Sequence, residues 1–231
     1  VSGLGLEYSD WMFTIADESD EHNLITWEIP VAEIIKEVDG KVRIICNSSA
    51  IIRNKKDEER YFKVMDVFQP HLGPTPNPEL YEWLKGSGKE MWFYRCSFTG
   101  DVYNDYRVYV WEVLKYGGTG IGVWTYCSNG GRNYYDPNGE KPTSYLLVVP
   151  HPYKENTVIP TLRYLTLIEG IDDCRYVYTL FKIAKDKGYT EQAKKMVDEA
   201  INDILQNRSD TTRCDRWRKK IIETIEKWNE K

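Results

Sequence analysis

Five short apolar runs, rich in β-branched and aromatic residues, recur along the first half of the chain. They are "WMFTIA" (11–16), "VRIIC" (42–46), "VMDVF" (64–68), "MWFYRC" (91–96) and "IGVWTY" (121–126). Each is too brief for a helix, and the stretches between several of them carry helical spacing. Strands returning every roughly 25 to 30 residues with helices between them imply parallel pairing through right-handed crossovers. The expected class is therefore α/β, either a doubly wound sheet or part of a (β/α)8 barrel.

Helix signals fill the gaps. In "TWEIPVAEIIKEVDG" Trp27, Val31, Ile34, Ile35 and Val38 fall at helical spacing, Pro30 suits a first turn and Asp39-Gly40 ends the element. Asn77 precedes Pro78 as a cap, with Leu80, Trp83 and Leu84 turned inward and Gly86 and Gly88 beyond. "YRVYVWEVLKYGG" reads as a further helix, whereas "NKKDEERYFK" reads as a charged connection. After Tyr126 the polar, glycine-rich "CSNGGRNYYDPNGEKPTS" is a loop of functional length, followed by the apolar "YLLVVP" (145–150). From about residue 158 the chain reads as helical in three segments. In the last two, Val197, Ile201 and Ile204, and likewise Ile221, Ile225 and Trp228, take core-facing positions. The expected division is a sheet-containing portion, 1–157, and a C-terminal helical segment, 158–231.

A chain 41% hydrophobic and 13% aromatic can bury a packed core. Its net charge of -5 gives no basic stripe, which argues against a nucleic-acid partner. No apolar run approaches the roughly 20 residues that cross a bilayer. Cys46, Cys96, Cys127, Cys174 and Cys214 show no CxxC spacing, so no zinc site is expected. The first three close strand-like runs, where a buried thiol is the ordinary case and a reactive one needs further evidence. Asn47-Ser48-Ser49 and Asn207-Arg208-Ser209 are sequons that matter only in a secreted protein.

In parallel α/β folds the carboxyl ends of strands line the site, which directs attention to Asp17, Glu18, Asn47, Gln69, Tyr94 and the stretch from Trp124 to Tyr126. Tyr94, Trp124 and Tyr126 offer flat apolar walls with polar tips, suited to sugar rings. Asp17 and Glu18 are neighbours, and on an ideal strand they would point to opposite faces. If the backbone turns out of strand geometry there, both can serve one cavity, one carboxyl as proton donor and the other as an orienting acceptor. The plainer reading of "DESDE" is a cluster at a helix start, favoured by the helix dipole.

The order Arg163, Glu169-Gly170-Ile171, Asp173 and Tyr176 in "IPTLRYLTLIEGIDDCRYVYTL" resembles the "S-x-R-x-E-x-x-R-x-G-I-E-D-Y-E-Y-L" helix of glycoside hydrolase family 123 and its domain-of-unknown-function relatives. Upstream, Asn104, Arg107, Trp111, Gly117, Gly120 and Trp124 stand in the order of that family's "FWYY…N…R…W…YGADGFLYW" stretch. The resemblance spans most of residues 11–180. The chain departs from the pattern at Ser19, Ile168, Cys174 and Arg175.

The resemblance implies a TIM-type (β/α)8 barrel of which only strands four to eight are present, followed by C-terminal helices. It implies a retaining glycoside hydrolase acting on a terminal β-linked N-acetylhexosamine, N-acetylgalactosamine favoured. Glu18 would be the general acid/base and Asp17 would orient the substrate's own 2-acetamido group, whose oxygen attacks the anomeric carbon. Tyr94, Asn104, Trp124 and Tyr126 would bind the sugar, and no metal or cofactor is called for. The signature helix, with Arg163 and Asp173, is expected to serve packing. A half barrel leaves two open sheet edges, so an N-terminal barrel segment or a second copy is the expected partner. An extracytoplasmic glycan is the implied substrate, and a carbohydrate-binding or structural homologue without turnover is the alternative. A flavodoxin-like module fits the strand–helix alternation alone.

Overall fold

The computed structural model describes residues 5–96, 101–124, 126 and 146–230. They form two compact units, Val1–Cys96 with Tyr116–Val123, and Ser97–Lys115 with Trp124–Lys231. Residues 101–115, 124, 126 and 146–157 thus group with the C-terminal helices and not with the sheet.

The first unit holds a five-stranded parallel sheet: β1 (Phe13–Thr14), β2 (Ile44–Cys46), β3 (Val67–Phe68), β4 (Glu90–Arg95) and β5 (Gly120–Val123). The strands lie in chain order, β1-β2-β3-β4-β5, and every adjacent pair is parallel. A flavodoxin-like sheet reverses direction after its first crossover, giving the order 2-1-3-4-5, so this order argues against that reading. Winding in one direction places the helices on one face. Cys46 meets Glu28, which precedes α2 (Ile29–Val38), and Tyr61 of α3 (Lys55–Val64). Phe68 packs on Tyr61, and Phe93 packs edge-on against Tyr81 of α4 (Pro78–Lys85). The opposite face of β4 and β5 carries Trp92, Tyr94, Gly120 and Gly122, paired in register. A β-carbon on Gly120 would come within 2.4 Å of the Trp92 indole, so only glycine admits that ring. The sheet is thus compatible with part of a barrel.

Two helices differ from expectation. Lys55–Val64 is a helix capped by Asn54, whose side chain accepts from the backbone of Lys56 and Asp57. Its inward residues are only Tyr61 and Val64, too few among the charges to show a stripe. The helix after β1 begins as α1 (Glu21–Asn23), passes through a π-turn (Leu24–Glu28) and continues as α2. It buries Leu24, Glu28, Ile29 and Ala32, while Trp27, Ile34 and Val38 stand exposed. The wider turn breaks the 3.6-residue phase on which the expected stripe depends.

The second unit contains a π-turn (Tyr103–Val108) leading into α5 (Tyr109–Lys115), a ribbon of β6 (Val148–Pro150) with β7 (Val158–Pro160), and three helices, α6 (Leu162–Lys187), α7 (Thr190–Gln206) and α8 (Arg213–Asn229). β7 lies where a helix was expected, and pairs antiparallel with β6. Trp111, Leu180, Ala184, Ala200, Ile204, Ile221 and Trp228 are buried in one apolar cluster.

Candidate functional site

The site stands where the carboxyl ends of β1, β2 and β3 meet the end of β4. The chain leaves β1 at Thr14 and bends at Asp17 and Glu18. Glu18 takes φ +52°, the left-handed region in which a side chain is strained. The departure from strand geometry that two adjacent acidic residues need is therefore present. The acidic run divides in function: Asp20 caps α1, its carboxylate accepting from the Asn23 backbone at 2.8 Å, whereas Asp17 and Glu18 face other partners.

Asn47, the residue after β2, links the two acids. The Glu18 backbone N–H donates to Asn47 Oδ1 at 3.1 Å, and the Asn47 amide donates to Asp17 Oδ1. The next two residues extend the brace. Ser48 donates to the Ser19 carbonyl at 2.5 Å, and Ser49 Oγ accepts from the His71 backbone N–H at 3.1 Å. The tripeptide met in the sequence as a sequon is thus the strut that ties the loops after β1 and β3 to the end of β2.

Tyr94, near the end of β4, donates its phenolic proton to Glu18 Oε1. Burial first, then the hydrogen bond to Glu18 and the charge of that residue, hold the phenol far above its ordinary value, so it remains an O–H donor throughout the physiological range. Beside it lies His71, which the sequence reading passed over. The loop after β3 rejoins β4 here: Tyr94 donates its backbone N–H to Pro70 and accepts from Leu72. The His71 and Tyr94 rings are 5.0 Å apart. Burial pushes His71 below its ordinary value, against the opposing charge of Glu18 and with the help of Arg95. The signal for His71 is its place in a strand-to-helix connection, two residues past a strand-end Gln69. Gly122 leaves room for that Gln69, whose amide would lie 2.8 Å from a β-carbon there.

Of the expected site residues, the structure brings together Asp17, Glu18 and Tyr94. Asn104, Trp124 and Tyr126 belong to the second unit. There Asn104 donates to Asp101 at 2.6 Å, Trp124 and Tyr126 are exposed, and the Tyr126 carbonyl accepts from Leu147 and Val148. The long loop after Tyr126, with Cys127, lies outside the described residues. Among the described residues no group of three or more His, Cys, Asp or Glu is placed to hold a metal, and no helix is long and apolar enough to cross a membrane.

No family model matches the chain, and no curated protein matches it. The arrangement itself is two exposed carboxylates on a strained turn, cross-braced by an amide, with a phenol donor on one and a neutral-leaning imidazole nearby. Such a group can donate and accept protons while holding a polar substituent in a fixed direction.

Proposed function

We propose that this chain is the C-terminal part of a TIM-type (β/α)8 glycosidase that cleaves a terminal β-linked N-acetylhexosamine, N-acetylgalactosamine favoured, with retention of configuration. The single observation that carries the reading is the left-handed turn at Glu18, which sets an adjacent Asp-Glu pair at the carboxyl end of a parallel strand and ties both residues through Asn47. The resemblance to glycoside hydrolase family 123 assigns the acid pair to the end of barrel strand four. On this reading β1 to β5 are strands four to eight, and the open edge of β1, where Phe13 is exposed, receives the remaining barrel, from an upstream segment or a second copy.

In the reaction, Glu18 gives its proton to the glycosidic oxygen as that bond breaks. The substrate's acetamido oxygen closes on the anomeric carbon from the opposite side, and Asp17, held by Asn47, accepts the acetamido N–H and keeps the group aligned. Water then opens the bicyclic intermediate with Glu18 as base, restoring the original configuration. Tyr94 steers the Glu18 carboxyl, and its ring supplies sugar-stacking surface.

The test is release of nitrophenol from 4-nitrophenyl N-acetyl-β-galactosaminide, alongside the N-acetyl-glucosaminide and the plain galactoside. Turnover confined to acetamido sugars and lost in Glu18→Gln is expected, a drop of roughly a thousandfold for a missing general acid. Sugar binding without turnover would assign the carbohydrate-binding alternative; turnover unaffected by Glu18→Gln would reject the role of that residue.

A further inference from the structure

Cys96, one residue beyond β4, places its sulfur 3.5 Å from His71 Nε2. We propose that Cys96 is a nucleophilic thiol activated by His71, a modification site for soft carbon electrophiles such as α-haloamides and conjugated carbonyl compounds. The inference stands on the thiol–imidazole geometry and is independent of the glycosidase reading.

The imidazole is held from several sides. The His71 backbone N–H donates to Ser49 Oγ at 3.1 Å, and its carbonyl accepts from the Tyr81 hydroxyl at 3.0 Å. Gly73 leaves the space the ring occupies, since a β-carbon there would stand 2.8 Å from His71 Cε1. The protonation state suits a base. The groups facing the ring are the Glu18 carboxylate, which raises its pKa, the Arg95 guanidinium, which lowers it, and the Tyr94 phenol and Cys96 thiol; burial lowers it most. A neutral imidazole whose Nε2 faces a thiol can take the proton as sulfur attacks.

The other described cysteines supply the contrast. Burial pushes the thiols of Cys46 and Cys174 up to about 12 and that of Cys214 up to about 11. Cys46 faces the Glu28 carboxylate and the Tyr61 hydroxyl, and Cys214 faces the Tyr103 hydroxyl. Cys96 is half-buried, as Cys174 is, but Cys96 faces an imidazole. With iodoacetamide, the carbon–sulfur bond forms as the carbon–iodine bond breaks, iodide departs with the electron pair, and the thiol proton passes to His71 Nε2 and then to water. The adduct would lie beside Tyr94 and the carboxylate that Tyr94 holds.

The experiment is iodoacetamide labelling of the whole folded chain at pH 7, in a Cys127→Ser background, read by peptide mapping over time. Cys96 is expected to label first, at least about tenfold ahead of Cys46, Cys174 and Cys214, and His71→Asn is expected to slow it by about tenfold. An unchanged rate in a natively folded His71→Asn, or a Cys96 that labels no faster than the other three, would overturn the proposal. Should His71→Asn not fold, the pH profile of the parent chain decides. The rate should persist below the ordinary thiol value of about 8.5 and fall only as His71 gains its proton; a curve following simple thiol ionisation would reject activation.

Discussion

Two carboxylate clusters dominate the polar chemistry of this molecule, and they are built on opposite terms. Asp173, on α6, is 1% exposed and surrounded by donors: Arg107 at 2.9 and 3.2 Å, the Trp111 indole at 3.0 Å and Arg218 at 2.5 Å. Arg218 also reaches the Glu169 carboxylate and carbonyl, both at 2.6 Å, and Gly170 lets α6 approach Val110 and the Arg107 backbone, where a β-carbon would come within 2.7 Å. Glu18 is exposed, sits on strained backbone and has a phenol as its side-chain donor. The fully satisfied, charge-paired carboxylate is committed to structure, and the strained, solvent-facing one is available for chemistry. The contacts of Glu169, Gly170 and Asp173 give them a packing role.

The comparison breaks most easily at Asp173. Asp173→Ala would leave buried Arg107 and half-buried Arg218 without their shared acceptor, each keeping one other carboxylate, Asp215 and Glu169, and a loss of about 3 kcal/mol in urea unfolding is expected. A loss under about 1 kcal/mol would show that the network contributes little and that the contrast is overdrawn. The contrast sharpens at Glu18, where two truncations separate the backbone from the carboxylate. Both Glu18→Gly and Glu18→Ala remove the bond from Tyr94, but only glycine relieves a φ of +52°. Glu18→Gly should be the more stable by about 1 kcal/mol, the reverse of the usual order of the two residues. Alanine as the more stable would mean that the turn relaxes when the side chain goes, and that no strain is stored at the site.

The sheet was legible because strands of a parallel sheet read as short apolar runs, most plainly in buried β2 and β3, and their recurrence survives without knowledge of contacts. The place of Asp17 and Glu18 at a strand end was legible from the apolar run before them, but their residues alone favoured a helix-start cluster, and only Asp20 takes that capping role. What the residues concealed were partners created by the crossovers. Nothing local distinguishes Asn47-Ser48-Ser49 from a chance sequon; its role appears only when β2 lies between the loops carrying Asp17 and His71. Cys96 and His71 are likewise joined by the β3–β4 register and not by spacing. The helix at Lys55–Val64 was hidden because two inward residues among eight others of mostly charged character leave no periodic signal, and the exposed Trp27, Ile34 and Val38 because a π-turn shifted the phase.

The smallest predicted effect tests whether the site's histidine is as constrained as its neighbours suggest. Burial lowers the His71 pKa in the folded chain, so the unfolded chain takes up its proton at higher pH. His71 therefore favours folding above the ordinary histidine value of about 6.5, and that contribution is lost as pH falls through 6.5 towards the lower folded value. Comparing the chain with His71→Gln in urea unfolding at pH 7.5 and at pH 5 isolates this part of the slope from the many carboxylates that titrate further down. The parent chain should lose more stability across that interval than the variant. Glu18 opposes the shift, so in a Glu18→Gln background the His71-dependent difference should grow. If it does not change, the Glu18 carboxylate spends its time too far from the imidazole to act on it, and the brace through Asn47 and Tyr94 is looser than the hydrogen bonds imply.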